Sequence, residues 1–120
     1  MAPEVLYYLM VGFFFTHELD AVKRREWRIL PGLRLLPDRI AEQAFIWLHV
    51  PIFALLLVGG DGEDANTVRV TLSAFAIVHV VLHWLFRDHP ANEFNNFSSW
   101  SLILGTGALG AAYLLVAIGA

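Results

Sequence analysis

Apolar residues dominate four stretches of the chain, from about Val5 to Val22, Ile40 to Val58, Val68 to Phe86 and Phe97 to Ile118. Polar and turn-forming residues collect between them. Each stretch approaches the ~20 residues that cross a bilayer as a helix, and a helix satisfies its own backbone hydrogen bonds in lipid. The pattern predicts an all-α integral membrane protein, a four-helix bundle in up-down-up-down order forming one domain over 1–120. The first stretch does not read as a secretory signal. Its MAPE start lacks a basic region, and no small-residue cleavage pattern precedes the charged segment.

Local chemistry marks the breaks. Pro31, Gly32 and Pro37 interrupt the chain after the first helix, and Asp38 is placed to cap the second. Gly59, Gly60, Asp61 and Gly62 form a polar turn. Pro90 and the run Asn92, Asn95, Asn96, Ser98 and Ser99 offer a turn and several N-caps for the fourth helix. Pro51 removes a backbone donor inside the second helix and frees the Trp47 carbonyl, which predicts a bend near His49.

Composition agrees with the pattern. The chain is 58% hydrophobic and 16% charged, against roughly 45–50% and about 25% in soluble domains. There is no cysteine, so disulfides, thiolate ligands and thiol nucleophiles are excluded, and any metal must be held by nitrogen and oxygen.

The placement of charge says more than its sum of −3. Lys23, Arg24, Arg25, Arg28, Arg34 and Arg39 lie between helices one and two, and Arg87 follows helix three. Arg69 alone falls at the other end, near Asp61, Glu63 and Asp64. The positive-inside rule makes the basic end cytoplasmic and puts both termini outside, in a multi-pass protein of the bacterial inner (cytoplasmic) membrane. Membrane lipids are its expected surroundings, and no nucleic-acid partner is expected. Trp27, Trp84 and Trp100 are expected as interfacial anchors at the basic end, with Tyr7, Tyr8 and Tyr113 at the other.

With that topology the histidines can be placed by depth. At ~1.5 Å per residue, His17 lies roughly 8 Å, His49 about 13 Å, and His79 and His83 about 11 and 5 Å from the basic end. His79 and His83, spaced i,i+4, share a helix face. His17 and Asp20, spaced i,i+3, share another, and Glu42 and His49 a third. Ionisable groups at membrane depth face a bundle interior or a cavity and pair with one another.

Three readings of this convergence stay open. In the first, His17, His49, His79 and His83 are metal ligands, with Asp20 as a further ligand or the acceptor that orients His17. Imidazoles with carboxylates and no sulfur suit zinc or non-haem iron. Glu18, about 100° round the helix from His17, is then either the candidate general base or an ion-pair partner of Arg25 or a neighbouring loop arginine. In the second, His49 and His79 ligate a haem. In the third, the groups form a hydrogen-bonded network that binds nothing, with His17–Asp20 and His49–Glu42 pairs.

The H-E-L-D start, the basic loop after it, the later H-x-x-x-H of His79 and His83 and the four-helix layout resemble small bacterial membrane families of the HXXEE type. In place of the two glutamates of the namesake motif this chain carries Asp20 and Ala21. The resemblance implies the membrane topology and no reaction. In chemistry alone, histidines and an aspartate near a membrane face also resemble the zinc sites of intramembrane lipid amidases, which have more helices.

The expected function is accordingly a buried His/carboxylate metal site near the cytoplasmic leaflet. As an enzyme the chain would direct metal-activated water at a lipid-like substrate. The alternative is a non-catalytic accessory or assembly subunit. Gly105, Gly107, Ala108, Gly110, Ala111 and Ala112 give helix four a small-residue surface, which serves either packing within the bundle or a homodimer or partner-subunit contact.

Overall fold

Four helices form where the apolar stretches predict them: α1 (Pro3–Lys23), α2 (Asp38–Gly59), α3 (Ala65–Leu85) and α4 (Phe97–Gly119). The computed structural model describes residues 2–119; the expected domain's end residues, 1 and 120, lie outside the described residues. α1 starts two residues earlier than hydropathy suggests, because Pro3 occupies its first turn, where the missing N–H and fixed φ suit a helix start. All four helices are long and apolar enough to cross a membrane, and no strand occurs among the described residues.

The segment between α1 and α2 is folded rather than an open basic loop. It holds two short 3₁₀ turns, Glu26–Arg28 and Leu33–Leu35. Arg25 takes a left-handed backbone with φ 54°, uncommon for a residue with a Cβ, and so ends α1 and turns the chain back toward the bundle. Asp38 does not cap α2. Pro37 holds the cap position, and the Asp38 carboxylate accepts the Trp27 indole N–H at 2.9 Å and Arg28 Nε and Nη2 at 2.8 and 2.9 Å. This two-pronged bond raises the Arg28 guanidinium above its ordinary pKa and ties the folded segment to α2.

α4 packs along both α1 and α3, whereas α2 meets α3 at few points and leans on α1 and the 3₁₀ turns. The glycines of α4 serve this packing. A Cβ at Gly110 would lie 2.8 Å from the Ser73 carbonyl oxygen on α3; one at Gly105 would strike the Phe13 ring of α1, and one at Gly107 would meet Val80. Asn96 caps α4, its side-chain oxygen accepting the Ser99 N–H at 2.8 Å. α2 continues as a helix through Pro51.

Two apolar clusters fill the interior. One, at the end of the chain termini, joins Tyr7, Met10, Phe14, Leu56, Leu72 and Tyr113. The other, at the basic end, joins Ala21, Trp27, Ile29, Phe45, Phe94 and Ile103. Trp27, Tyr7 and Tyr113 are therefore buried core residues, not interfacial anchors. The Tyr7 hydroxyl donates to the Leu56 carbonyl at 2.7 Å, and Arg69 Nε donates to the Gly60 carbonyl at 2.8 Å. Carbonyls at the end of α2 thus gain donors that the helix cannot supply. Tyr8 and Trp84 remain exposed, and Arg87 lies over the Trp84 ring at 3.7 Å.

Candidate metal centre

Between the two apolar clusters sits a polar group drawn from three elements. His17 comes from α1, His79 and His83 from α3, and Glu26 from the first 3₁₀ turn. All four are buried, and each offers a ligand atom within 4.8 Å of the others. His83 Nε2 lies 3.0 Å from Glu26 Oε1 and 3.1 Å from His79 Nε2. His17 Nε2 and His79 Nε2 stand 3.8 and 4.0 Å from the same oxygen. Ligands at ~2.0–2.1 Å from a tetrahedral zinc are separated by about 3.4 Å. The observed spacings straddle that value, so the donor set suits a small divalent ion.

The local reasons are legible in the backbone. The i,i+4 spacing of His79 and His83 puts both rings on one face of α3, with centroids 4.5 Å apart. His17 projects between them, its ring 4.7 Å from His79 and 5.1 Å from His83. Phe94 covers His83 at 4.6 Å and Phe14 flanks His79 at 5.7 Å. Glu26 reaches the group because Arg25 reverses the chain one residue before it.

As a purely hydrogen-bonded network the group is incomplete. His17 is fully buried, and both of its ring nitrogens, with His79 Nδ1, lack a hydrogen-bond partner. Burying such atoms unpaired costs roughly 1–3 kcal/mol each.

Glu18 and His49 form a second unit beside the first. Glu18 is buried; its Oε2 is 2.5 Å from His49 Nε2, and its Oε1 is 3.8 Å from His17 Nε2. His49 Nδ1 stands 2.6 Å from the Phe45 carbonyl. A carbonyl only accepts, so Nδ1 carries a proton there. The short contact at Nε2 then needs one more proton shared between imidazole and carboxylate.

Asp20 goes elsewhere. Its Oδ2 accepts the Ser99 hydroxyl of α4 at 2.5 Å, and its Oδ1 accepts Arg24 Nε at 3.2 Å. It therefore neither joins the four-residue group nor hydrogen-bonds His17, because its carboxylate is turned to α4. The group holds His17, His79 and His83 of the expected ligands, not Asp20 or His49. The expected His49–Glu42 pair is replaced by His49–Glu18.

The residue that sequence reasoning missed is Glu26. Its signal was faint but present: a lone acid among arginines, followed by Trp27, Ile29 and Leu30, whose apolar character marks a segment that folds inward.

No curated protein and no solved structure gives a significant match to the chain. Residues 3–120 match the model of a family of unknown function (DUF6713), and the chain belongs to that family.

Proposed function

We propose that the chain is a multi-pass protein of a bacterial inner membrane in which His17, Glu26, His79 and His83 hold a zinc or iron ion. In this reading the helices run up-down-up-down, with the basic segment cytoplasmic and both termini on the other side. The observation that carries it is His17: a fully buried imidazole with neither nitrogen bonded, its Nε2 facing two carboxylates at 3.8 Å. A coordinated ion satisfies that nitrogen and offsets the charge of Glu26 and Glu18.

An ion held there would supply Lewis acidity. The rest belongs to the chain's own side chains. Glu18 would serve as the proton acceptor beside the site, His49 holds Glu18 in place and shares its proton, and Phe14 and Phe94 exclude bulk water. Hydrolysis of a lipid-like substrate is the reaction class this arrangement suits.

Haem fits less well, because the rings of His17, His83, Phe14 and Phe75 already surround His79 at 4.5 to 5.7 Å. The α4 glycines meet α1 and α3, which favours packing within the bundle over the accessory-subunit reading of those glycines.

Metal analysis of detergent-purified protein tests the assignment. Near-stoichiometric zinc or iron is expected, lost in His79→Ala, His83→Ala and Glu26→Gln and kept in Asp20→Asn. A wild-type preparation that is folded, monodisperse and metal-free would falsify it. An absorption spectrum with a Soret band would replace it with haem.

A further inference from the structure

The sparse contact between α2 and α3 leaves a cleft of about 440 Å³ whose floor carries Glu18, Glu26, His49 and His79. The rest of its lining is apolar. Along α2 it runs from Phe45 to Leu56 and along α3 from Leu82 to Leu72, a length of roughly 15 Å at ~1.5 Å per residue. The polar groups occupy only the half nearest the 3₁₀ turns. Beyond His49 and His79 the cleft continues for two helical turns, roughly 10 Å, between purely apolar walls. It closes at Leu56 and Leu72, which are buried in the core cluster with Tyr7. Its side is open: Leu48, Ile52, Phe75 and Leu82 are 50, 41, 44 and 43% exposed, on helices apolar enough to face lipid.

Size decides what can enter. Spread over its length, the volume leaves a slot narrower than a helix about 10–12 Å across. A whole helix from a second copy is too wide to sink between α2 and α3, and an extended hydrocarbon chain is thin enough. Polarity decides the direction. A lipid in the leaflet at the basic end carries its polar head toward the 3₁₀ turns and its tail toward the bilayer centre. The cleft has the same order, polar then apolar.

We propose that this cleft seats one fatty-acyl chain entering sideways from the bilayer between α2 and α3, with its carboxyl or acyl carbonyl at the level of His49 and His79. Leu56 and Leu72 set the length of chain accepted. The proposal deepens the metal-centre reading and rests on it for the head group, because Glu18 and Glu26 alone would repel a carboxylate. The acyl chain's fit depends only on the apolar walls.

Native mass spectrometry of the detergent-released protein, titrated with saturated fatty acids of increasing length, reads metal and acyl adducts separately in one spectrum. Affinity is expected to rise with chain length and then stop rising once the chain reaches Leu56 and Leu72. Ile52→Trp, at the lipid-facing side, should weaken the long acids roughly tenfold or more, since several methylenes lose their seat, and leave the metal mass unchanged. Leu48→Trp provides an independent block should Ile52→Trp lose its metal. Affinity independent of chain length, or both Trp variants binding like wild type, overturns the cleft. A dimer mass in place of the acyl adduct does the same. Metal-free protein with the expected length profile and the expected Trp effects supports the cleft and removes only the metal reading.

Discussion

Arg25 shows how one residue assembles the site. Its left-handed backbone, φ 54°, costs a Cβ-bearing residue roughly 1–2 kcal/mol, and it brings Glu26 beneath α1. Arg25→Gly should raise the unfolding midpoint in detergent by removing about 1 kcal/mol of strain, with metal content unchanged. Arg25→Val should lower the midpoint and the metal content together, because a β-branched residue resists that conformation. Equal midpoints for the two variants would contradict this. The three histidines of the group were readable from depth and from i,i+4 phase, since both follow from helix geometry alone. Glu26 was not readable, because the turn that recruits it lies in a segment whose charge reads as a membrane-orienting loop. The i,i+3 spacing of His17 and Asp20 puts both on one helix side, but the Ser99 hydroxyl on α4 draws the Asp20 carboxylate away.

At the level of whole helices, α4 is held against α1 and α3 by close approach at its glycines. Gly110 lies against the α3 backbone, and Gly110→Ala should push α3 and α4 apart and destabilise the protein by about 1–3 kcal/mol. Gly12 on α1 has nothing within 4 Å of the position a Cβ would take, so Gly12→Ala should be neutral or stabilising by up to about 1 kcal/mol. Thermal unfolding of both variants in one detergent checks the contrast, and the same loss at both positions would rule out glycine packing as its cause. The four spans and their approximate ends were legible, because hydropathy over ~20 residues is a local property. The burial of Trp27 and Tyr7 was not. An amphipathic ring at a span's end reads as an anchor until a neighbouring element covers it, as α2 covers Trp27 through Asp38 and Phe45 and the end of α2 covers Tyr7.

For the molecule as a whole, the uneven spread of cations makes a directional prediction. The chain has no cysteine, so single-cysteine variants can be labelled without background. Asp61→Cys should react with a membrane-impermeant maleimide in intact spheroplasts, and Arg34→Cys only after permeabilisation. The reverse pattern would invert the proposed orientation. It would also move the metal group and the mouth of the cleft to the other leaflet.

Number of spans, their lengths and the shared depth of the histidines follow from residue order alone, since apolar runs and rise per residue need no knowledge of neighbours. Partnerships between spans do not. The phase and tilt at which two helices meet depend on packing along their whole length, so Glu26 beside His83, Glu18 beside His49 and Asp20 beside Ser99 emerge only when the helices are together. The cleft is likewise a product of assembly: α4 binds α1 and α3 closely through its glycines, and α2, held mainly by the turns at one end, is left standing apart from α3.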